Sequence, residues 1–247
     1  MAGSLTGKVA LVTGGSRSLG AAIVRRLAAD GAAVALTYNA SPDKADAVVH
    51  GVEAAGGKAL ALRADAADAV AVKAAVAKTA QTFGRLDILV NNAGVIVVKP
   101  VDDLSLEDFD RIVAVNVRGL FVATQEAVRH MREGGRVINI GSINSDYVPF
   151  AGGALYAMTK AAVAGLTKGL ARDLGPRGIT ITNVQPGPID TDMNPDSGQF
   201  AEQTRGYTAL KRYAQADEIA DFVAYLAGPG ASYITGTGLV IDGGYGA

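Results

Sequence analysis

Apolar residues follow two rhythms along the chain. Short continuous runs rich in Val and Ile recur as KVALVTG, AVALTY, KALALRAD, LDILVNNAG, RVINIGS, ITITNVQPG and GLVIDGG. Turn residues bound each run, and continuous apolar strands of this kind suit a sheet buried on both faces. Between most of them lie longer stretches with helical spacing, such as GAAIVRRLAADG, SPDKADAVVHGVEAAG and DAVAVKAAVAKTAQTFG. Strand–helix alternation implies right-handed βαβ units and a parallel sheet. The pattern therefore predicts an α/β fold, a doubly wound parallel sheet of about seven strands with helices on both faces. No Pro-rich or charged linker interrupts it, so residues 1–247 read as a single domain. The least patterned part is DTDMNPDSGQFAEQTRGYTALKRYAQ, between the sixth and seventh strands. A connection this long, at about residues 190–215, reads either as a substrate lid or as a surface excursion.

Composition narrows the function classes. Lys+Arg 23 against Asp+Glu 24 gives a formal net charge of -1, which predicts neither a nucleic-acid partner nor attraction to acidic membranes. The absence of Cys excludes disulfides, thiolate catalysis and Cys-ligated metals. The only two His, His50 and His130, lie far apart in helix-like segments, so no metal site is expected. The early VALV run is too short for a signal peptide, and no run approaches the ~18 apolar residues of a membrane span. A soluble, cytoplasmic protein is the expectation.

Two stretches carry candidate chemistry. In VALVTGGSRSLGAAIVRRL a strand leads through a Gly-rich turn into a helix. That arrangement aims backbone N–H groups and the positive helix end at an anion. In ALYAMTKAAV, Tyr156 and Lys160 stand one helical turn apart, so both side chains leave the same face.

With these residues in hand, the chain resembles the short-chain dehydrogenase/reductase family, whose first motif is TGxxxGxG. Thr13, Gly14 and Gly20 match it, and Ser18 replaces the middle glycine. NNAG (Asn91 to Gly94), NVRG with Asn116, NIGS ending in Ser142, YAMTK with Tyr156 and Lys160, and PGPIDT (Pro186 to Thr191) follow in order along the whole chain. The resemblance implies a Rossmann-type fold and an oxidoreductase transferring a hydride to a ketone or aldehyde carbonyl, reversibly. It implies Tyr156 as proton donor, Lys160 as the charge that lowers its pKa, Ser142 as the group orienting the substrate oxygen, and Asn116 as the holder of a relay water. Ser145 competes with Ser142 on local sequence alone.

The same resemblance places the cofactor. The turn carrying Gly14, Ser16, Arg17, Ser18, Leu19 and Gly20 would hold the pyrophosphate, and Asp65 with Ala66 the adenine. The backbone of Asn92, Ala93 and Gly94 would line the ribose path. Pro186, Gly187, Ile189 and Thr191 would meet the nicotinamide, whose ribose Tyr156 and Lys160 would also bind. NAD readers carry an acid at the end of the second strand to bind the ribose 2′-OH. This chain has Tyr38, Asn39, Ala40 and Ser41 there, without an acid, and Arg17 offers a guanidinium suited to phosphate. NADP(H) is therefore expected over NAD(H).

Among relatives, the resemblance is strongest to 3-oxoacyl-carrier-protein reductases and bacterial NADPH carbonyl reductases. The former commonly carry a basic run before the fifth strand, where this chain reads MREGGRV with Glu133 among the bases, while Arg177 is kept. A small free carbonyl compound is the expected substrate. QPGPIDTDMNP and the ending IDGGYGA also resemble members of this fold proposed to bind cyclic dinucleotides, so a nucleotide-binding regulatory module stays as an alternative. The family further implies a homotetramer, with the helices around Asn116 and Tyr156 in one interface.

Overall fold

The structure, a computed structural model, describes residues 3–247. Each of the seven apolar runs forms a strand: β1 (Val9–Val12), β2 (Ala33–Tyr38), β3 (Lys58–Arg63), β4 (Ile88–Asn91), β5 (Arg136–Ile140), β6 (Thr180–Pro186) and β7 (Thr237–Ile241). They make one sheet in the order β3-β2-β1-β4-β5-β6-β7, with every neighbouring pair parallel. The strand order reverses between β1 and β4, which opens a crevice at the carboxyl ends of those strands.

Both faces are covered. Alternation along β1 sends Ala10 and Val12 into one core, with α1 (Ser18–Ala29), α2 (Pro42–Ala54) and α8 (Ala216–Ala227). Val9 and Leu11 point into the other, under α3 (Ala69–Phe83), α5 (Leu120–His130) and α6 (Ala154–Leu174). This explains why the strands read as continuous apolar runs rather than alternating ones. The edge strand β3 is the exception: its ends, Lys58 and Arg63, are exposed charges that discourage a further strand from pairing.

Two elements differ from the sequence expectation. The stretch FDRIVAVNVRGLFVATQ has helical spacing throughout, with the polar Asn116 among apolar residues, yet is not one regular helix. α4 (Leu106–Val113) passes into a π turn over Ala114–Gly119 and only then into α5. The long segment before β7 is also not formless. It contains α7 (Gln199–Tyr207) and closes at its base through a bridge between Ile189 and Ala214. No helix among the described residues is long and apolar enough to cross a membrane, and no group of three potential metal ligands occurs among them.

Candidate active site

The Gly-rich turn is folded by close approach. Gly14 has φ +65, a conformation that L side chains rarely adopt. A Cβ on Gly20 would lie 2.2 Å from the Gly14 carbonyl oxygen, so only glycine lets α1 pack down on the turn. Thr37 of β2 holds the turn from one side, its hydroxyl accepting from Gly14 N–H at 3.0 Å and its carbonyl from Gly15 N–H at 2.9 Å. From the other side Asn92 donates to the carbonyls of Thr13 and Gly14 at 3.0 and 3.1 Å. The Thr13 hydroxyl in turn accepts from the backbone N–H groups of Asn92 and Ala93. The side chain of Asn92 thus shapes the turn. Ser16 and Leu19 are buried within it, and Arg17 is exposed at its rim.

Ser18 takes φ +45, so the serine enters the left-handed region that the family glycine would occupy. Its hydroxyl accepts from Asp192 N–H at 3.2 Å. Asp65 turns its carboxylate onto Ala67 N–H at 2.9 Å, which fixes the loop after β3. Beside it, a Cβ on Gly119 would lie 2.1 Å from the Ala66 carbonyl oxygen, so that glycine sets how near this loop comes to the π turn. Tyr38 sits half-buried at the end of β2, followed by exposed Asn39 and Ala40 and half-buried Ser41. At the end of β6, Pro186 is buried and Gly187 crosses so near β7 that a Cβ would meet Asp242 at 2.7 Å. Ile189 and Thr191 then open the long segment before α7, the Thr191 hydroxyl accepting from Asn194 N–H at 3.2 Å.

The Tyr–Lys pair lies one turn into α6. Lys160 is 7% exposed and donates to the Ile140 carbonyl at 2.7 Å, at the carboxyl end of β5. Its Nζ stands 5.5 Å from the centre of the Tyr156 ring. Burial lowers the Lys160 pKa from 10.5 to about 8. Burial also pushes the Tyr156 phenol up, with hydrogen bonding to Ser142 acting the other way. Of these two influences on Tyr156, desolvation outweighs the hydrogen bond.

Ser142 is buried at the end of β5, its hydroxyl accepting from Asn144 N–H at 3.1 Å. The competitor Ser145 is occupied elsewhere: it donates to the Ser142 carbonyl and to Asp146 and accepts from Gln185. Asn116 is buried in the π turn. Its Oδ1 accepts from Val95 N–H at 2.9 Å, and its Nδ2 donates to the Val95 carbonyl at 2.9 Å and to the Thr159 hydroxyl at 3.1 Å. The amide is therefore a bracket tying the loop after β4 to α6. Thr159 escaped the sequence reading; its signal was a polar residue between Tyr156 and Lys160 on a helix that must bury one side.

The sequence-selected groups lie along the carboxyl ends of β1 to β6, with Asn116 in the π turn and Tyr156 and Lys160 on α6. A Cβ on Gly94 would stand in ordinary contact with Asn116 Oδ1 and Lys160 Nζ, at 3.6 and 4.0 Å, so both polar groups flank the loop after β4. A glycine cradle at one end and a buried ammonium and hydroxyl beside a half-buried phenol at the other fit an extended dinucleotide lying along the crevice.

Comparisons with known proteins agree with this geometry. The family described as Enoyl-(Acyl carrier protein) reductase matches residues 14–246. A short-chain dehydrogenase/reductase from Serratia marcescens BCRC 10948 superposes with a TM-score of 0.98 at 61% identity, covering 99% of this chain and 100% of that one. A short chain dehydrogenase from Burkholderia cenocepacia J2315, solved in complex with NADP, has a TM-score of 0.98 at 55% identity over the same shares. The cyclic-di-GMP-binding biofilm dispersal mediator protein of Escherichia coli (strain K12) is 48% identical over 99% of this chain and 100% of its own length.

Proposed function

The chain belongs to the short-chain dehydrogenase/reductase family, and from that premise we propose that it is an NADPH-dependent oxidoreductase acting on a ketone or aldehyde carbonyl. NADPH, when bound, supplies the hydride. The turn from Gly14 to Gly20 holds its pyrophosphate, and the loops at Asp65 and at Asn92 to Gly94 line its adenosine and ribose. Pro186 to Thr191 meet the nicotinamide. Ser142 donates to the substrate oxygen and fixes the carbonyl beside the Tyr156 hydroxyl. Tyr156 releases its proton to that oxygen as the alkoxide develops. Lys160 stabilises the phenolate left behind and binds the nicotinamide ribose. Asn116 holds the water through which Tyr156 and Lys160 are reprotonated. Burial favours the neutral phenol, the form a proton donor needs. The observation that carries the reading is the convergence of Ser142, Tyr156 and Lys160 at the end of β5, with Lys160 anchored on the Ile140 carbonyl two residues before Ser142.

The preference for the phosphorylated cofactor is supported by the uncharged Tyr38 to Ser41 stretch and by Arg17 at its side. Assembly as a homotetramer is supported by exposed apolar side chains on α4 to α6, Leu106, Phe109, Phe121 and Met158. Gly165 and Gly169 on α6 add to this, since a Cβ at either would meet nothing within 4 Å. A second reading, a nucleotide-binding regulatory module, is favoured by the 48% identity to the Escherichia coli cyclic-di-GMP-binding protein. A third, reduction of a 3-oxoacyl-carrier protein, has less support: the Arg177 guanidinium donates to the Val128 carbonyl, so it is partly committed inside the chain.

Tyr156→Phe tests the reading, because it keeps the ring and removes the proton. Reduction of a ketone panel should fall by about 10²–10⁴-fold, the usual worth of general acid catalysis, while NADPH binding changes little. A wild type that reduces no carbonyl yet binds a cyclic dinucleotide tightly would establish the regulatory reading instead. Full activity in Tyr156→Phe would remove the mechanism.

A further inference from the structure

The charge missing from the end of β2 is supplied from the lid. Two cations face that corner, Arg17 from the Gly-rich turn and Lys44 from the first turn of α2. Both converge on one oxygen, Oδ2 of Asp192, at 3.4 and 3.3 Å. The backbone N–H of Asp192 donates to Ser18, whose hydroxyl is aimed by its φ of +45. These contacts join segments 175, 148 and 174 residues apart in sequence, so no local turn produces them. Arg17, Ser18, Lys44 and Asp192 line an open cleft of about 510 Å³ that also reaches Arg25, Asp190 and Asp217.

We propose that Asp192 is a displaceable internal counter-ion for the Arg17–Lys44 pair, that Lys44 is a second reader of the 2′-phosphate, and that a 2′-phosphorylated dinucleotide competes with Asp192 for both. The proposal rests on the NADP(H) reading given above. A phosphate monoester carries about −1.5 to −2 charges and three acceptor oxygens. A carboxylate carries a single charge and two oxygens, so the phosphate is the stronger partner for two cations. The side chains of Arg17, Asp192 and Lys44 are 57%, 47% and 58% exposed, which makes the exchange inexpensive. A dinucleotide without the phosphate leaves Asp192 where it is. Phosphate recognition is then coupled to the first residues of the lid, which lose one of their ties to the Gly-rich turn only when the phosphorylated cofactor arrives.

The test is direct binding of NADPH and NADH, followed by nicotinamide fluorescence, to wild type, Asp192→Asn and Lys44→Gln, with melting curves to show that all three are folded. Asp192→Asn should tighten NADPH about fivefold, and Lys44→Gln should weaken it about fivefold, each the equivalent of ~1 kcal/mol. NADH binding should stay within about twofold in both. If wild type prefers NADPH but neither variant moves its affinity, the counter-ion role is overturned and the cofactor reading stands. If Asp192→Asn shifts both dinucleotides alike, Asp192 acts on the lid and not on the phosphate, and the proposal falls. If wild type binds the two dinucleotides equally, the cofactor preference and this proposal fall together.

Discussion

Replacing Lys160 by Met should make the cofactor-free protein more stable at neutral pH while removing the proposed carbonyl reduction. The reasoning starts from burial. Lys160 is 7% exposed, and burial lowers its pKa from 10.5 to about 8. At ~1.4 kcal/mol per tenfold change in proton affinity, that drop is equivalent to about 3 kcal/mol. The sign follows from proton binding. Between about pH 8 and 10.5 the unfolded chain holds the proton on Lys160 and the folded chain does not. Stability contributed by this group therefore rises with pH across that window, and the penalty is complete below it. Met keeps the length of the side chain without the charge. It loses the hydrogen bond to the Ile140 carbonyl, worth about 1 kcal/mol.

The net effect at pH 7 is a gain of about 2 kcal/mol for Lys160→Met. The gain should shrink as pH rises and reverse near about pH 10, where the wild-type lysine is mostly neutral yet still donates to Ile140. Urea unfolding of wild type and variant, without dinucleotide and at one protein concentration, measures it between pH 7 and 9.5. Bound ligand or changing concentration would shift apparent stability by mass action. Burial raises the Tyr156 phenol above its ordinary 10.0, so it stays mainly neutral in the folded state of both proteins over this pH range and contributes little to the difference. A variant less stable than wild type at pH 7, or a gap that does not change with pH, would refute the argument.

Ser18→Gly removes a left-handed serine and the hydroxyl that accepts from Asp192 N–H. NADPH affinity should stay within about fivefold, while hydrogen exchange at the Asp192 amide accelerates; a larger loss of affinity would make the hydroxyl a cofactor contact. Gly169→Leu fills space that no atom of the chain occupies. It should leave folding intact and break the assembly, so light scattering should give about four times the 25.1 kDa chain mass for wild type and less for the variant. A wild type that runs as a monomer at micromolar concentration removes the tetramer.

How much of this was legible follows from what each part of the sequence had to satisfy. The strands were readable because both faces of the sheet are buried, so Val9 to Val12 could carry no polar residue on either side. The Gly-rich turn was readable because Gly14 and Gly20 meet constraints no other residue meets. α7 was not readable: QFAEQTRGY buries only Ala201 and Thr204, too little apolar surface to leave a helical rhythm. Asp192 was invisible for another reason. Its partners Arg17 and Lys44 are brought to it by the fold, and nothing near it in sequence signals an ion pair.

Asn116 lies between these cases. Its polar side chain inside an apolar helical stretch is itself a sign that a partner is needed, but the π turn leaves no such sign, because AVNVRG has a spacing that an α-helix accommodates equally well. The partners explain the turn's effect. Val95 supplies both a donor and an acceptor to the Asn116 amide, and Thr159 a third contact. Thr159 also donates to the Tyr156 carbonyl at 2.8 Å, within the helical turn that leads on to Lys160. The π turn, the loop after β4 and the Tyr156–Lys160 stretch of α6 are thus held by one bracket. The same bracket brings Asn116 Oδ1 beside Gly94, within 3.6 Å of where a Cβ would stand, with Lys160 Nζ at 4.0 Å from the same point. Irregular helix geometry, a buried ammonium and a left-handed serine all occur at this one end of the sheet. Local rules of folding are broken there together, as expected where side chains are arranged for chemistry and the surrounding core supplies the stability.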